Sequence, residues 1–91
     1  MSIFEVWLFS GTGGRFSSGV FTTKDKAMDW IKVRKLSGTL TKYPVDCGVY
    51  EWAINNKLFE PSKESEFSPA FIQKFSCASQ EHYHFEDGAI E

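Results

Sequence analysis

The stretch Gly38–Trp52, GTLTKYPVDCGVYEW, is the joint from which the rest of the chain can be laid out. Its first half, Thr39-Leu40-Thr41-Lys42-Tyr43, is a short run that suits a strand. Pro44 lacks an N–H and ends regular pairing. Asp46 is then expected to cap a helix carrying Val49, Trp52, Ala53 and Asn56 on one face. Strand, stiff corner and aromatic helix together join two halves of a small domain.

Toward the N-terminus, Phe4 to Phe9 is rich in strand formers, and its near-continuous apolarity predicts a strand with both faces covered at least in part. Gly11, Gly13 and Gly14 follow, suited to a hairpin loop, and Phe16 to Phe21 supplies the returning strand. These glycines lead into a strand rather than a helix and lack a spaced Lys-Ser/Thr pair, which argues against a phosphate cradle. Thr22 is the expected cap of the next helix, with Asp25 at its third position. Asp25 and Asp29 lie early in that helix and Lys32, Arg34 and Lys35 late, which complements the helix dipole. Ala27, Trp30, Ile31 and the stem of Arg34 share its inward face, and Gly38 is expected to end it in the left-handed conformation.

Toward the C-terminus, Pro61 breaks the second helix, and Ser62–Glu66 (SKESE) reads as an exposed loop. Ser68 as cap, Pro69 at the first helical position and Phe67 stapled onto Ile72 announce a third helix, with Phe71, Ile72 and Phe75 as its buried stripe. The segment Gln80–Glu86 then alternates, as a half-buried strand does, and Asp87-Gly88 is a turn signal. The expected fold is α+β, one domain over residues 1–91, with about four mostly antiparallel strands and three helices in the order β-β-α-β-α-α-β, the helices on one side. Trp7, Phe21, Trp30, Ile31, Leu40, Trp52, Ile72, Phe75, Tyr83 and Phe85 are the core candidates.

Ninety-one residues with 42% apolar content suffice for one core, and the 16% of aromatic residues (nine Phe, three Trp, three Tyr) give a short chain large groups to bury. Cys47 and Cys77 lie far apart and outside any metal-ligand spacing, so reduced thiols are expected. The N-terminal run contains Glu5, lacks a basic leader and is too short to span a bilayer; a cytoplasmic, soluble chain with no membrane partner is expected. The net charge of −2 hides an asymmetry: residues 1–45 carry +4 and residues 46–91 carry −6. The basic cluster from Lys24 to Lys42 is interrupted by Asp25 and Asp29 in an acidic chain, which disfavours nucleic acid as a partner.

Catalytic signals are lacking. No GxSxG, HExxH or paired-carboxylate pattern occurs, and pairing Cys47 or Cys77 with a histidine base has no local motif behind it. No enzyme activity and no cofactor are expected. His82-x-His84-x-Glu86 places two imidazoles and a carboxylate on one strand face, a weak alternative for a metal or small ligand that needs a further donor from elsewhere.

The blocks SGVF-TT-KDKAMDWI, LSGTLTKYPVDCGVYEWA and SPAFIQKFSCASQEHYHFEDG, spanning about Val6 to Gly88, resemble those of a family of small uncharacterised bacterial proteins. That resemblance carries over no catalytic residue and no activity. In size and single-domain character such proteins are similar to immunity proteins that neutralise toxins. The expected function is therefore a non-catalytic protein-binding module, an immunity or inhibitor protein masking the active site of a partner, with a basic toxin domain as the fitting partner. Glu60, Glu64, Glu66, Glu81, Glu86 and Asp87 are the acidic contact candidates, with Tyr50 and Tyr83 as aromatic ones.

Overall fold

A computed structural model describes residues 4–91; the first three residues of the apolar N-terminal run lie outside the described residues. Strand β1 (Glu5–Gly11) is followed by β2 (Gly19–Phe21), helix α1 (Lys24–Arg34), β3 (Gly38–Pro44), α2 (Val49–Asn55), a 3₁₀ turn (Glu64–Phe67), α3 (Pro69–Ile72), β4 (His82–Glu86) and β5 (Ala89–Ile90). The fold is α+β with an antiparallel sheet, as expected, but with five strands in the spatial order β2-β1-β3-β4-β5. The added strand arises because Asp87 and Gly88 both take positive φ (49° and 88°), which folds the last residues back onto β4. The returning strand of the first hairpin is shorter than its sequence suggests, and Phe16 is left 83% exposed.

The register sorts the side chains into two faces. Trp7 and Phe9 of β1 pair with Lys42 and Leu40 of β3, and Leu40 pairs with Tyr83 of β4, while Phe85 follows on the same face. Ala27 and Ile31 of α1 join Trp7, Phe9, Leu40 and Phe85 in the buried core, with Phe21, Met28, Trp30, Leu36 and Tyr83 packed around it. Phe9, Ile31 and Leu40 are the largest fully buried side chains, each worth about 1.5–3 kcal/mol of transfer from water.

Local details differ from expectation in instructive ways. Thr23, not Thr22, caps α1, its hydroxyl accepting from the Lys26 amide at 3.2 Å. Lys35, not Gly38, takes the left-handed conformation at its end (φ 57°), and the Leu36 amide then reaches the Ile31 carbonyl at 3.0 Å, bringing Leu36 back to the core. Gly38 serves another purpose: it faces Gly11 across the β1–β3 ladder, where a side chain would meet the Gly11 Cα at 2.8 Å. Asp46 does not cap α2. It sits at positive φ in the turn, and Gly48 occupies the cap position without a side-chain bond.

A second apolar group, distinct from the sheet core, gathers around α2. Tyr50 and Ala53 are its buried residues: of the expected Val49–Trp52–Ala53–Asn56 face Ala53 is buried, whereas Val49 and Trp52 are half-buried, Asn56 is exposed and Tyr50 turns inward instead. Phe59, Phe71 and Phe75 surround Tyr50 with ring centroids 5.4–6.3 Å away. Ser68 and Pro69 start α3 as expected, but the helix is a single turn and Phe67 stays 57% exposed rather than stapled. Trp52, Ile72 and Phe75 are half-buried in this region and do not reach the sheet core.

Candidate functional site

The same register that buries Trp7, Phe9 and Leu40 points their neighbours the other way. Val20, Leu8 and Thr41 line up across β2, β1 and β3 and continue to His82 of β4; Ser10, Thr39 and His84 form the next row, and Val6 stands beside Tyr43. Val20 is 65% exposed, Ser10, His82, His84 and Glu86 are exposed, and Val6, Leu8, Thr39, Thr41 and Tyr43 are only half-buried. The apolar run in β1 is therefore buried on one face and only partly covered on the other. The shortest extent of the molecule, 20 Å, is that of one helix layer on one sheet.

This open face is chemically one-sided. Among the described residues it carries Glu86 and no Lys or Arg, whereas Lys24, Lys26, Lys32 and Arg34 sit on α1 behind the sheet. The charge asymmetry between the two halves of the chain is not preserved in space, because Lys24 and Lys42 of the first half pair with Glu81 of the second. Face by face, cations lie with the helix and the apolar, hydroxyl and imidazole groups lie opposite.

The residues expected to form an acidic contact surface do not come together. Glu81 is engaged at the helix side: its carboxylate accepts from Tyr83 and lies 3.3 Å from the Lys42 ammonium and 3.8 Å from that of Lys24. The Lys24 ammonium also donates to the Tyr83 hydroxyl at 3.3 Å, and Lys42 reaches Glu5 at 3.4 Å. The hydrogen bond from Tyr83, then that from Lys42, holds the Glu81 carboxyl below the ordinary range. Lys24 is raised, first by its bond to Tyr83; at Lys42 burial works against the charge, but the bonds to Glu81 and Glu5 outweigh it and its pKa is raised too. Tyr83 itself faces the core, its ring 6.1 Å from that of Trp7. These groups form a structural clasp over Trp7, above which Lys42 lies 5.9 Å from the ring.

Glu66 is used internally as well. Its Oε1 accepts from the Ser62 and Lys63 amides at 2.9 and 3.0 Å, and these bonds, the Lys63 one first, lower its pKa. Tyr50 is 7% exposed at the centre of the second aromatic group, which withdraws it from any surface contact. Glu60 and Glu64 are exposed and lie outside the strands, Glu64 at the start of the 3₁₀ turn. Asp87 borders a cleft of about 800 Å³ between α1 and the β4–β5 hairpin, with Met28, Phe85 and Ile90 among its walls and charges of both signs on its rim. Of the expected contact residues only Glu86 shares the open face.

Sequence reasoning missed Val6, Leu8, Val20, Thr39, Thr41 and Tyr43 as surface groups. The alternation in Thr39–Tyr43 was a usable signal, since every second residue there must face away from Leu40. Among the described residues no set of three or more His, Cys, Asp or Glu side chains is placed to hold a metal ion, so Glu86 does not complete a site with the two histidines. Cys47 and Cys77 are both free thiols. No helix among the described residues is long and apolar enough to cross a membrane.

These features define a two-layer α+β domain whose sheet has one helix-covered and one open face. The chain belongs to the family described as Domain of unknown function (DUF7710), whose model matches residues 6–91. No curated protein and no solved structure matches it.

Proposed function

We propose that this domain is a non-catalytic protein-binding module that meets a basic partner through the open face of its sheet. The single observation that carries the reading is the composition of that face: Val6, Leu8, Val20 and Tyr43 beside hydroxyl groups and Glu86, with no cation among its described residues. A rigid apolar patch with a polar surround is the usual anatomy of a recognition surface. Glu86, the formal charge among its described residues, favours a cationic partner over an acidic one. Within this reading, the immunity or inhibitor role is the more specific proposal, the partner being a basic toxin domain whose active site the sheet face covers.

The experiment is co-expression with the product of the neighbouring gene, followed by size-exclusion chromatography and a growth assay. The expected result is a stable complex and relief of toxicity, both lost in Leu8→Arg and Val20→Arg and both retained in Lys26→Glu on the opposite side. The association rate should fall as salt is raised. A complex that tolerates both arginine substitutions would overturn the surface assignment, and the lack of any complex would overturn the immunity role.

A further inference from the structure

His82 and His84 stand on adjacent outward positions of β4, and both rings are exposed. Their ring centroids are 5.4 Å apart with the planes at 89°. Two imidazoles sharing one tetrahedral ion at about 2.0–2.1 Å per Zn–N bond have centroids roughly 5 Å apart. The observed separation is close to that of a chelating pair.

Hydrogen bonding at the back of each ring adds a second argument. The His82 Nδ1 lies 2.7 Å from the Gln80 carbonyl. A carbonyl only accepts, so Nδ1 carries the proton and Nε2 of the neutral ring keeps its lone pair. Gln80 is itself fixed: it is buried, and its side-chain amide donates to the Lys42 carbonyl at 3.1 Å. His84 places its Nδ1 3.3 Å from the Thr39 hydroxyl on the neighbouring strand. Both rings are thus held through Nδ1 by groups of the sheet, the outer-shell arrangement that orients imidazole ligands. His82 Nε2 is thereby left for an incoming ion, and His84 Nε2 is left likewise when the Thr39 hydroxyl accepts from Nδ1.

The geometry points to a two-histidine site for a borderline divalent transition ion, with His82 Nε2 and His84 Nε2 as the protein ligands and water in the remaining positions. Nitrogen donors select Zn²⁺ or Ni²⁺ over the oxygen-seeking Mg²⁺ and Ca²⁺. Two protein ligands give an exchangeable site open to solvent, unlike the closed four-ligand structural centres. This inference stands independently of the protein-binding proposal.

The test is equilibrium dialysis of the purified protein against Zn²⁺ and, separately, Ni²⁺, with elemental analysis, alongside thermal unfolding. A single ion per chain is expected, and at tenfold excess over the dissociation constant the midpoint should rise by roughly 5–10 °C. His82→Gln and His84→Gln should each weaken binding by more than about tenfold. Because both rings are exposed, their midpoints without metal should match the parent. Cys47→Ser should bind as the parent does, and Mg²⁺ should give no shift. Failure to retain either ion, undiminished binding in either histidine variant, or loss of binding in Cys47→Ser would overturn the assignment.

Discussion

The Tyr50 hydroxyl donates to the Glu66 carbonyl at 2.8 Å, tying α2 to the 3₁₀ turn sixteen residues later. Around this bond Phe59, Phe71 and Phe75 pack on the Tyr50 ring, so one side chain both fills the second apolar group and anchors its loop. Tyr50→Phe should lose the bond alone and cost about 1 kcal/mol. Tyr50→Ala should cost about 3–5 kcal/mol, since ring and bond go together. Urea unfolding of both variants separates the two contributions; a Tyr50→Phe variant as stable as the parent would mean that the hydroxyl carries no weight beyond the ring.

A fully buried ring and a half-buried one should respond differently to truncation. Phe9→Ala removes a fully buried ring from the sheet core and should cost about 3–5 kcal/mol. Trp52 is half-buried beside Phe4, Tyr43 and Pro44, and Trp52→Ala should cost only about 1–2 kcal/mol. Chemical denaturation of both variants checks the order.

Gly38 is constrained by its neighbour strand rather than by a helix end. Gly38→Ala would press a methyl group onto the Ser10 carbonyl and the Gly11 Cα, and should destabilise by more than about 1 kcal/mol. Gly13 lies at φ 83° in the open loop, where an added methyl group would meet nothing within 4 Å. Gly13→Ala should therefore lose stability through backbone strain alone, and by less. Comparing unfolding midpoints of Gly38→Ala and Gly13→Ala tests the distinction.

The clasp over Trp7 sets a pH dependence. Glu81 is lowered, so its contribution is present above the ordinary carboxyl value of 4.5 and is lost as pH falls through its folded pKa. Lys24 and Lys42 are raised, so theirs is present below 10.5 and is lost as pH rises through their folded pKa values. Glu81→Gln should flatten the acid limb of a plot of denaturation midpoint against pH while leaving the Glu66 part of that limb in place. An unchanged acid limb would show that the clasp contributes nothing to stability.

Short-range chemistry was legible in the residues. Ser68 and Pro69 start α3, Asp87-Gly88 makes its turn, and the apolar spacing of α1 places Ala27 and Ile31 inward, because each depends on groups within a few positions of one another. Where two local solutions competed, the sequence did not choose: Lys35 took the left-handed position that Gly38 was suited to, once Leu36 had a core to enter. The candidate surface was hidden for a related reason. Acidic residues were countable, but whether Glu81 meets solvent or two lysines depends on partners 39 and 57 positions away.

By itself the sequence determined the α+β class and the order of the elements apart from β5 and the 3₁₀ turn, since hydrophobic period and turn chemistry are properties of neighbouring residues. Only the tertiary structure decided that β3 lies between β1 and β4, that the aromatic residues divide into two groups, and that one face of the sheet is left open. The β1–β3 and β3–β4 registers join residues 27 to 47 positions apart, and they set which of two alternating rows is buried. With α1 available for one row, the other was left to water or to a partner.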